Sequence, residues 1–153
     1  MLAVEELRID EVTPQNVTDA CRLAVRPDQE RFVSPVAWSL AEAYVRPAIA
    51  WPRLVHRGDE LVGFVMGGFD PDSAVWFFRA GIWRLNVAAG AQGTGVGRFA
   101  VEAVLAEARR RGCPEATVLW VPGEGGPAGF YARLGFVDTG ERFAEQVVGR
   151  LTL

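Results

Sequence analysis

Glycines at positions 93, 95 and 97, within Gln92-Gly93-Thr94-Gly95-Val96-Gly97, constrain this chain more than any other feature. They stand between an apolar run ending at Val87 and an alanine-rich amphipathic run reaching Arg111. Glycine lets the backbone turn tightly and come close to a ligand. The helix that follows opens with amides that have no partner inside it, at the positive end of its dipole. Strand, loop and helix in succession therefore make a seat for a pyrophosphate, with Arg98 placed to add a charge. The plain alternative is a glycine-rich turn with no ligand.

Two familiar phosphate loops are excluded by residue type and spacing. A phosphate-loop NTPase needs Lys and then Ser or Thr after the last glycine, where this chain has Arg98-Phe99. A dinucleotide fingerprint reads G-x-G-x-x-G in an early βαβ unit. Here the spacing is G-x-G-x-G, late in the chain, with too little sequence after it for such a domain.

Around the loop the sequence reads as one domain spanning residues 1–153, a length suited to one core. Leu7 to Val12 alternates apolar and polar residues and predicts a strand. Thr13-Pro14 is a helix start, with the helix expected to reach about Arg26. Ser34-Pro35 repeats the signal before a helix over Ala37 to Val45. Trp51 to His56 and Leu61 to Phe69 flank the turn at Arg57-Gly58-Asp59-Glu60 and predict a hairpin. Ala74 to Phe78 and Gly81 to Val87 read as one long strand, weakest at Arg79-Ala80-Gly81. A helix over Gly95 to Arg111 is closed by Gly112 and Pro114. A strand over Glu115 to Val121 and a short helix over Pro127 to Leu134 follow, and then closing strands at Phe136 to Asp138 and Phe143 to Leu153. The order is β-α-α-β-β-β-α-β-α-β-β, an α/β (α+β) sheet with helices packed on it. The last strand, Gln146 to Leu153, is apolar enough to pair with a second copy, and a homodimer is one expectation.

Composition removes several classes of function. No apolar run approaches the roughly 20 residues of a membrane span, and Met1 to Asp10 lacks a basic-then-apolar leader, so a cytoplasmic location is expected. Sixteen Lys and Arg against nineteen Asp and Glu leave a net charge of −3. That argues against nucleic acid, which needs a basic stripe, and suits a cationic small substrate. Cys21 and Cys113 lie far apart and His56 is the single histidine, so no metal spacing exists and both thiols read as buried or half-buried.

The loop also matches the Q/R-x-x-G-x-G/A signature of the GNAT superfamily of N-acetyltransferases. Leu85-Asn86-Val87 resembles that family's strand end, and Phe130-Tyr131-Ala132-Arg133-Leu134-Gly135-Phe136 resembles its F-Y-x-x-L-G-F segment. The resemblance is firm over Leu61 to Phe136. Gln29-Glu30-Arg31-Phe32-Val33-Ser34 with Ser39-Leu40-Ala41-Glu42-Ala43-Tyr44 is similar to a bacterial branch that acetylates spermidine and related diamines. The fold so implied is a mixed, mostly antiparallel sheet of about six to seven strands with about four flanking helices.

The resemblance implies direct transfer of the acetyl group of acetyl-CoA to a primary amine of a small molecule, with a polyamine or diamine favoured. It carries Leu85, Asn86, Val87, Gln92, Gly93, Thr94, Gly95, Val96, Gly97 and Arg98 to the cofactor site, with the Val87 amide facing the acetyl carbonyl. Tyr131 becomes the proton donor to the leaving thiolate, since a phenol's ordinary pKa is about 10. An ammonium of pKa about 10 must first lose a proton, and Glu30 and Glu42 are candidates to bind it or pass that proton to water. Trp83 is a candidate for the acceptor slot, because aromatic faces attract ammonium groups. Where many relatives have asparagine, seven residues before the tyrosine, this chain has Glu124 in a loop-rich segment. Two other readings stay open: a protein or peptide N-acetyltransferase, which predicts an open groove, and a non-catalytic acyl-CoA-binding module.

Overall fold

The computed structural model describes residues 5–153. Seven strands form a single sheet: β1 (Leu7–Glu11), β2 (Ala50–Arg57), β3 (Glu60–Phe69), β4 (Ala80–Val87), β5 (Glu115–Trp120), β6 (Val137–Phe143) and β7 (Gln146–Thr152). Their spatial order is β1-β2-β3-β4-β5-β7-β6. Every neighbouring pair is antiparallel except β4 and β5. Helices α1 (Val17–Arg22), α2 (Val36–Val45), α3 (Val96–Arg110) and α4 (Ala128–Arg133) complete the fold. Among the described residues no helix is long and apolar enough to cross a membrane.

The two faces of the sheet carry separate cores. On one face α3 buries Val96, Ala100, Val101, Val104, Leu105 and Ala108, a stripe at helical spacing, over Val55, Val65 and Ile82. On the other, α1 and α2 cover Leu54, Phe64 and Met66 with Ala20 and Val36. Alternation along β3 sends Val65 to one face and Phe64 and Met66 to the other.

The parallel contact is short, and this positions the site. β4 and β5 pair only at Gly81↔Thr117 and Ile82↔Val118. At Gly81 the strands press together, since a Cβ there would lie 2.2 Å from the Thr117 carbonyl oxygen. Two residues on, a register shift opposite Met66 and Gly67 makes Trp83 the extra residue of a bulge. Bulges bend the strand that carries them, and the remainder of β4 runs unpaired on its β5 side to Val87. The result is a wedge about 17 Å deep at about 3.3 Å per residue.

Several expectations need correction. The first helix is only Val17–Arg22. Asn16 organises the turn before it: its Oδ1 accepts from Thr13 N at 2.7 Å and its Nδ2 donates to Glu11 O at 3.0 Å. The helix stops early because Ala24 leaves it to accept from Ala89 N. Ala74 to Phe78 is no strand. Trp76–Phe78 is a 3₁₀ turn, fixed by Thr117 Oγ1 donating to Phe77 O and by edge-on packing of Phe77 and Phe78 against Phe143. The closing hairpin turns at Ala144 and Glu145, which both adopt positive φ without glycine, whereas Gly140 lies in the register shift within β6. Cys21 is exposed. The C-terminal strand is not an edge: β7 sits between β5 and β6 with both sides paired, so it cannot pair with a second copy as expected.

Candidate active site

A cavity of about 880 Å³ fills the wedge. Its walls are the unpaired stretch of β4, the end of β5, the glycine loop and α4, with the 3₁₀ segment Pro27–Phe32 along one rim. The amide of Ala88 donates to Val62 on β3. Amides alternate sides along a strand, so those of Val87 and Leu85 point the other way, into the wedge. The Val87 carbonyl faces the same way and accepts from Gln92 Nε2 at 3.0 Å.

The glycine loop is held open by its own side chains. Gln92 turns inward to Val87, and Gln29 Nε2 meets its Oε1 at 3.4 Å. Thr94 Oγ1 donates to Ala91 O at 2.6 Å. Arg57, on β2, donates to Thr94 O at 3.0 Å and to Thr94 Oγ1 at 3.3 Å. Gly93 and Gly95 have φ of +74° and +88°, and nothing lies within 4 Å of where their Cβ atoms would be. Gly95 caps α3 with no side-chain partner for the first amides. An uncapped helix start beneath an open glycine arch fits a pyrophosphate. Gly97 serves packing instead, since a Cβ there would stand 3.2 Å from the ring of Phe130, and its absence seats α4 against α3. Val96 is buried beneath Gly63. Arg98 borders the cavity while paired to Glu102 at 3.0 Å. Arg133, from α4, brings a second cation to it.

Tyr131 is buried and borders the cavity. Its ring stacks on Trp120 with centroids 5.6 Å apart and packs edge-on against Phe130 and Phe136. Among the described residues its hydroxyl has no hydrogen-bond partner. Burial pushes its phenol above the ordinary range, so it holds its proton firmly.

The acceptor residues are divided. Glu30 is exposed on the cavity rim and carries no ion pair among the described residues. Glu42 does not border the cavity. Its carboxylate accepts from Arg84 Nη2 at 3.0 and 3.2 Å and from Trp38 Nε1 at 3.0 Å. Trp83 reaches the cavity but lays its ring over Gly68 and the α2 core, and it is the bulge that brings Trp83 and Arg84 to the same face. Asn86 also faces α2, where Nδ2 donates to Ser34 O at 3.0 Å. Glu124 offers only its carbonyl, to Arg31. Sequence reasoning missed Arg57, Arg31, Arg133 and the Trp120 stack. Only Trp120 left a local trace, as one of five tryptophans in a short chain. Among the described residues no group of His, Cys, Asp and Glu is arranged to hold a metal.

A splayed parallel strand pair, with a glycine arch at its mouth and a buried tyrosine on its wall, is the arrangement that the resemblance to acyltransferases implies. Residues 16–136 match the acetyltransferase (GNAT) family, and the chain belongs to it. It is an acetyl-CoA-dependent acetyltransferase on that ground. No curated protein matches the sequence. Solved structures match its fold throughout. An acetyltransferase from Thermus thermophilus is 20% identical with a TM-score of 0.76, covering 99% of this chain and 100% of that one. Naa50 of Arabidopsis thaliana, bound to the bisubstrate analogue CoA-Ac-MVNAL, is 21% identical with a TM-score of 0.68, covering 96% and 99%. PaiA N-acetyltransferase from Thermoplasma acidophilum, bound to coenzyme A, is 12% identical with a TM-score of 0.67, covering 97% and 99%.

Proposed function

We propose that this chain acetylates a primary amine of a small molecule in a direct transfer, with diamines or polyamines as the favoured acceptors. The observation that carries the reading is the wedge itself. One wall offers two unpaired strand amides, and the other a buried tyrosine whose hydroxyl has no partner among the described residues.

Acetyl-CoA, when bound, supplies an acetyl thioester. Gly93, Gly95 and the first amides of α3 hold its pyrophosphate, with Arg98 and Arg133 as nearby cations. The amides of Leu85 and Val87 are the donors for an oxygen that gains negative charge, a contact typically worth about 3 kcal/mol in the transition state. Tyr131 Oη serves the departing sulfur. A free phenol is already about 1.5 pKa units less acidic than a thiol, which makes full proton transfer to a thiolate uphill by about 2 kcal/mol. Burial widens that gap. Tyr131 therefore stabilises the thiolate as a hydrogen-bond donor, and the sulfur takes its proton elsewhere.

Glu30 is the ammonium anchor, because its exposed carboxylate stands at the rim with no ion pair among the described residues. Glu42, neutralised by Arg84, acts as a tie between α2 and β4. The Glu30 carboxylate holds the distal ammonium of a diamine, while the other amine gives its proton to water and attacks the acetyl carbon as the neutral base. The test is thiol release from acetyl-CoA against a panel of monoamines, diamines, polyamines and short peptides. Turnover of peptides without small amines would sink the small-molecule reading. Acetyl-CoA binding without turnover of any acceptor would favour a non-catalytic module.

A further inference from the structure

The wedge is crossed on its α2 side by two segments that meet. From the β4 side comes the 3₁₀ segment Pro27–Phe32, whose continuation is tied to the strand by the bond from Asn86 Nδ2 to Ser34 O. From the end of β5 comes the loop Pro122-Gly123-Glu124-Gly125-Gly126-Pro127. Arg31 Nη2 donates to the Glu124 carbonyl oxygen at 2.6 Å. The ring of Phe32 lies against Gly126, where an added Cβ would stand 3.1 Å from the ring and 3.0 Å from the Gly123 carbonyl oxygen. Gly126 N donates to that same carbonyl at 3.1 Å, which tightens the loop under the ring. The Arg31 guanidinium sits 4.5 Å from the centroid of Phe32, so cation and ring form one block. Arg31, Phe32, Gly125 and Gly126 all border the cavity.

We propose that this bridge selects the acceptor by size, admitting an amine on a slender chain and excluding the N-terminus of a polypeptide. The inference rests on the wedge being the transfer site. An extended peptide needs about 4.8 Å to each backbone beside it, and its side chains stand out on both faces. Phe32 and Gly126 leave no such trough, since the ring comes within 3.1 Å of where a Cβ on Gly126 would stand and both border the cavity. An unbranched alkylamine has no side chains to clear and can pass beside the contact, with Glu30 next to the bridge to receive its charge. Gly126 serves this closure, because the ring of Phe32 occupies space a side chain there would need.

The experiment compares the full chain with a double variant, Arg31→Ala with Phe32→Ala, and with Gly126→Ala. Acceptors are 1,4-diaminobutane, a branched alkylamine and an alanyl tetrapeptide with a free N-terminus. CoA affinity by calorimetry is the control for an intact donor site. The wild type is expected to favour the diamine over the tetrapeptide by about 100-fold in kcat/KM. The double variant is expected to narrow that ratio at least about tenfold, through a rise in the peptide value, with CoA affinity unchanged. Gly126→Ala crowds the bridge and is expected to lower turnover of the branched amine more than that of the diamine. The proposal is overturned if the double variant binds CoA normally and keeps the wild-type ratio. It is also overturned if the wild type takes the tetrapeptide as readily as the diamine. A wild type that binds acetyl-CoA and turns over no acceptor overturns the transfer reading and the selection with it.

Discussion

At the scale of single residues the proposed transfer turns on Tyr131 and on what holds it. Its ring is stacked on Trp120, and Trp120 lies over Gly149 of β7, where a Cβ would come 2.3 Å from the indole. A small residue in one strand thus fixes the place of a hydroxyl on another element. Tyr131→Phe keeps this packing and removes only the donor. It is expected to lower kcat by about 10- to 100-fold, the loss of one hydrogen bond of about 1.5–3 kcal/mol to a charged sulfur, while the affinity for CoA measured by calorimetry stays the same. The pH profile gives a second check. Burial raises the phenol above its ordinary pKa, so the protonated form persists past the free value and no alkaline fall from Tyr131 should appear below about pH 10. A tyrosine-dependent decline near pH 9 would contradict this. Glu30→Gln removes the rim charge and is expected to raise KM for the amine about two- to fivefold, within the roughly 1 kcal/mol of an exposed ion pair, with kcat little changed.

At the scale of elements, α3 has separate roles at its two ends. At its start, Gly95 occupies a left-handed conformation that costs other residues about 1–2 kcal/mol. Gly95→Ala meets open space, so the expected loss is conformational: a donor affinity weakened about tenfold if that strain is relieved by moving the amides. At its end, Glu107 binds Arg110 and Arg111, and the bond to Arg110 leads in holding its carboxyl down to about 2. A depressed folded pKa stabilises the protein above the unfolded pKa, and that stability is lost as pH falls through the folded value. The difference in melting temperature between wild type and Glu107→Gln should therefore be full above about pH 4.5 and shrink toward pH 2. Helix α3 was legible in the sequence because cap, stripe and stop are all local. The glycine loop is local in the same way, whereas Tyr131 came from the resemblance of the segment Phe130 to Phe136 to a family motif; the structure brings both to the cavity. Contacts such as Arg57 with Thr94, Glu42 with Arg84 and Arg31 with Glu124 join residues 37, 42 and 93 positions apart. No pattern along the chain reports them. They decide that Glu42 is an inner tie and that Glu124 acts through its backbone. The 3₁₀ turn at Trp76 escaped for a related reason: five apolar or aromatic residues read as a strand until Thr117, on another strand, claims the Phe77 carbonyl.

At the scale of the whole molecule, the function rests on one failed pairing. A sheet that zipped β4 to β5 along their length would be more regular and would have no cavity. The apex of the wedge is instead confined to two residue pairs. Gly81 lets the strands touch there, and Thr117 locks them by donating to Phe77 O at 2.7 Å and Ala80 O at 3.2 Å. Both walls hinge on this point, since β4 leads to the glycine loop and β5 to α4 with Tyr131. Gly81→Ala puts a Cβ 2.2 Å from the Thr117 carbonyl oxygen, a backbone atom that cannot rotate away. Overpacking of this kind costs about 1–3 kcal/mol, or about 2–12 °C in melting temperature for a domain of this size. To relieve it the apex must open, which moves the amides of Leu85 and Val87 away from Tyr131. The expected signature is a combined loss, with kcat falling at least about tenfold because a misplacement of an ångström at a reacting centre costs that much or more. The affinity for CoA should fall less, since the proposed pyrophosphate seat lies at the far end of β4. A Gly81→Ala protein with lowered melting temperature but unchanged kcat would show that the apex serves stability alone.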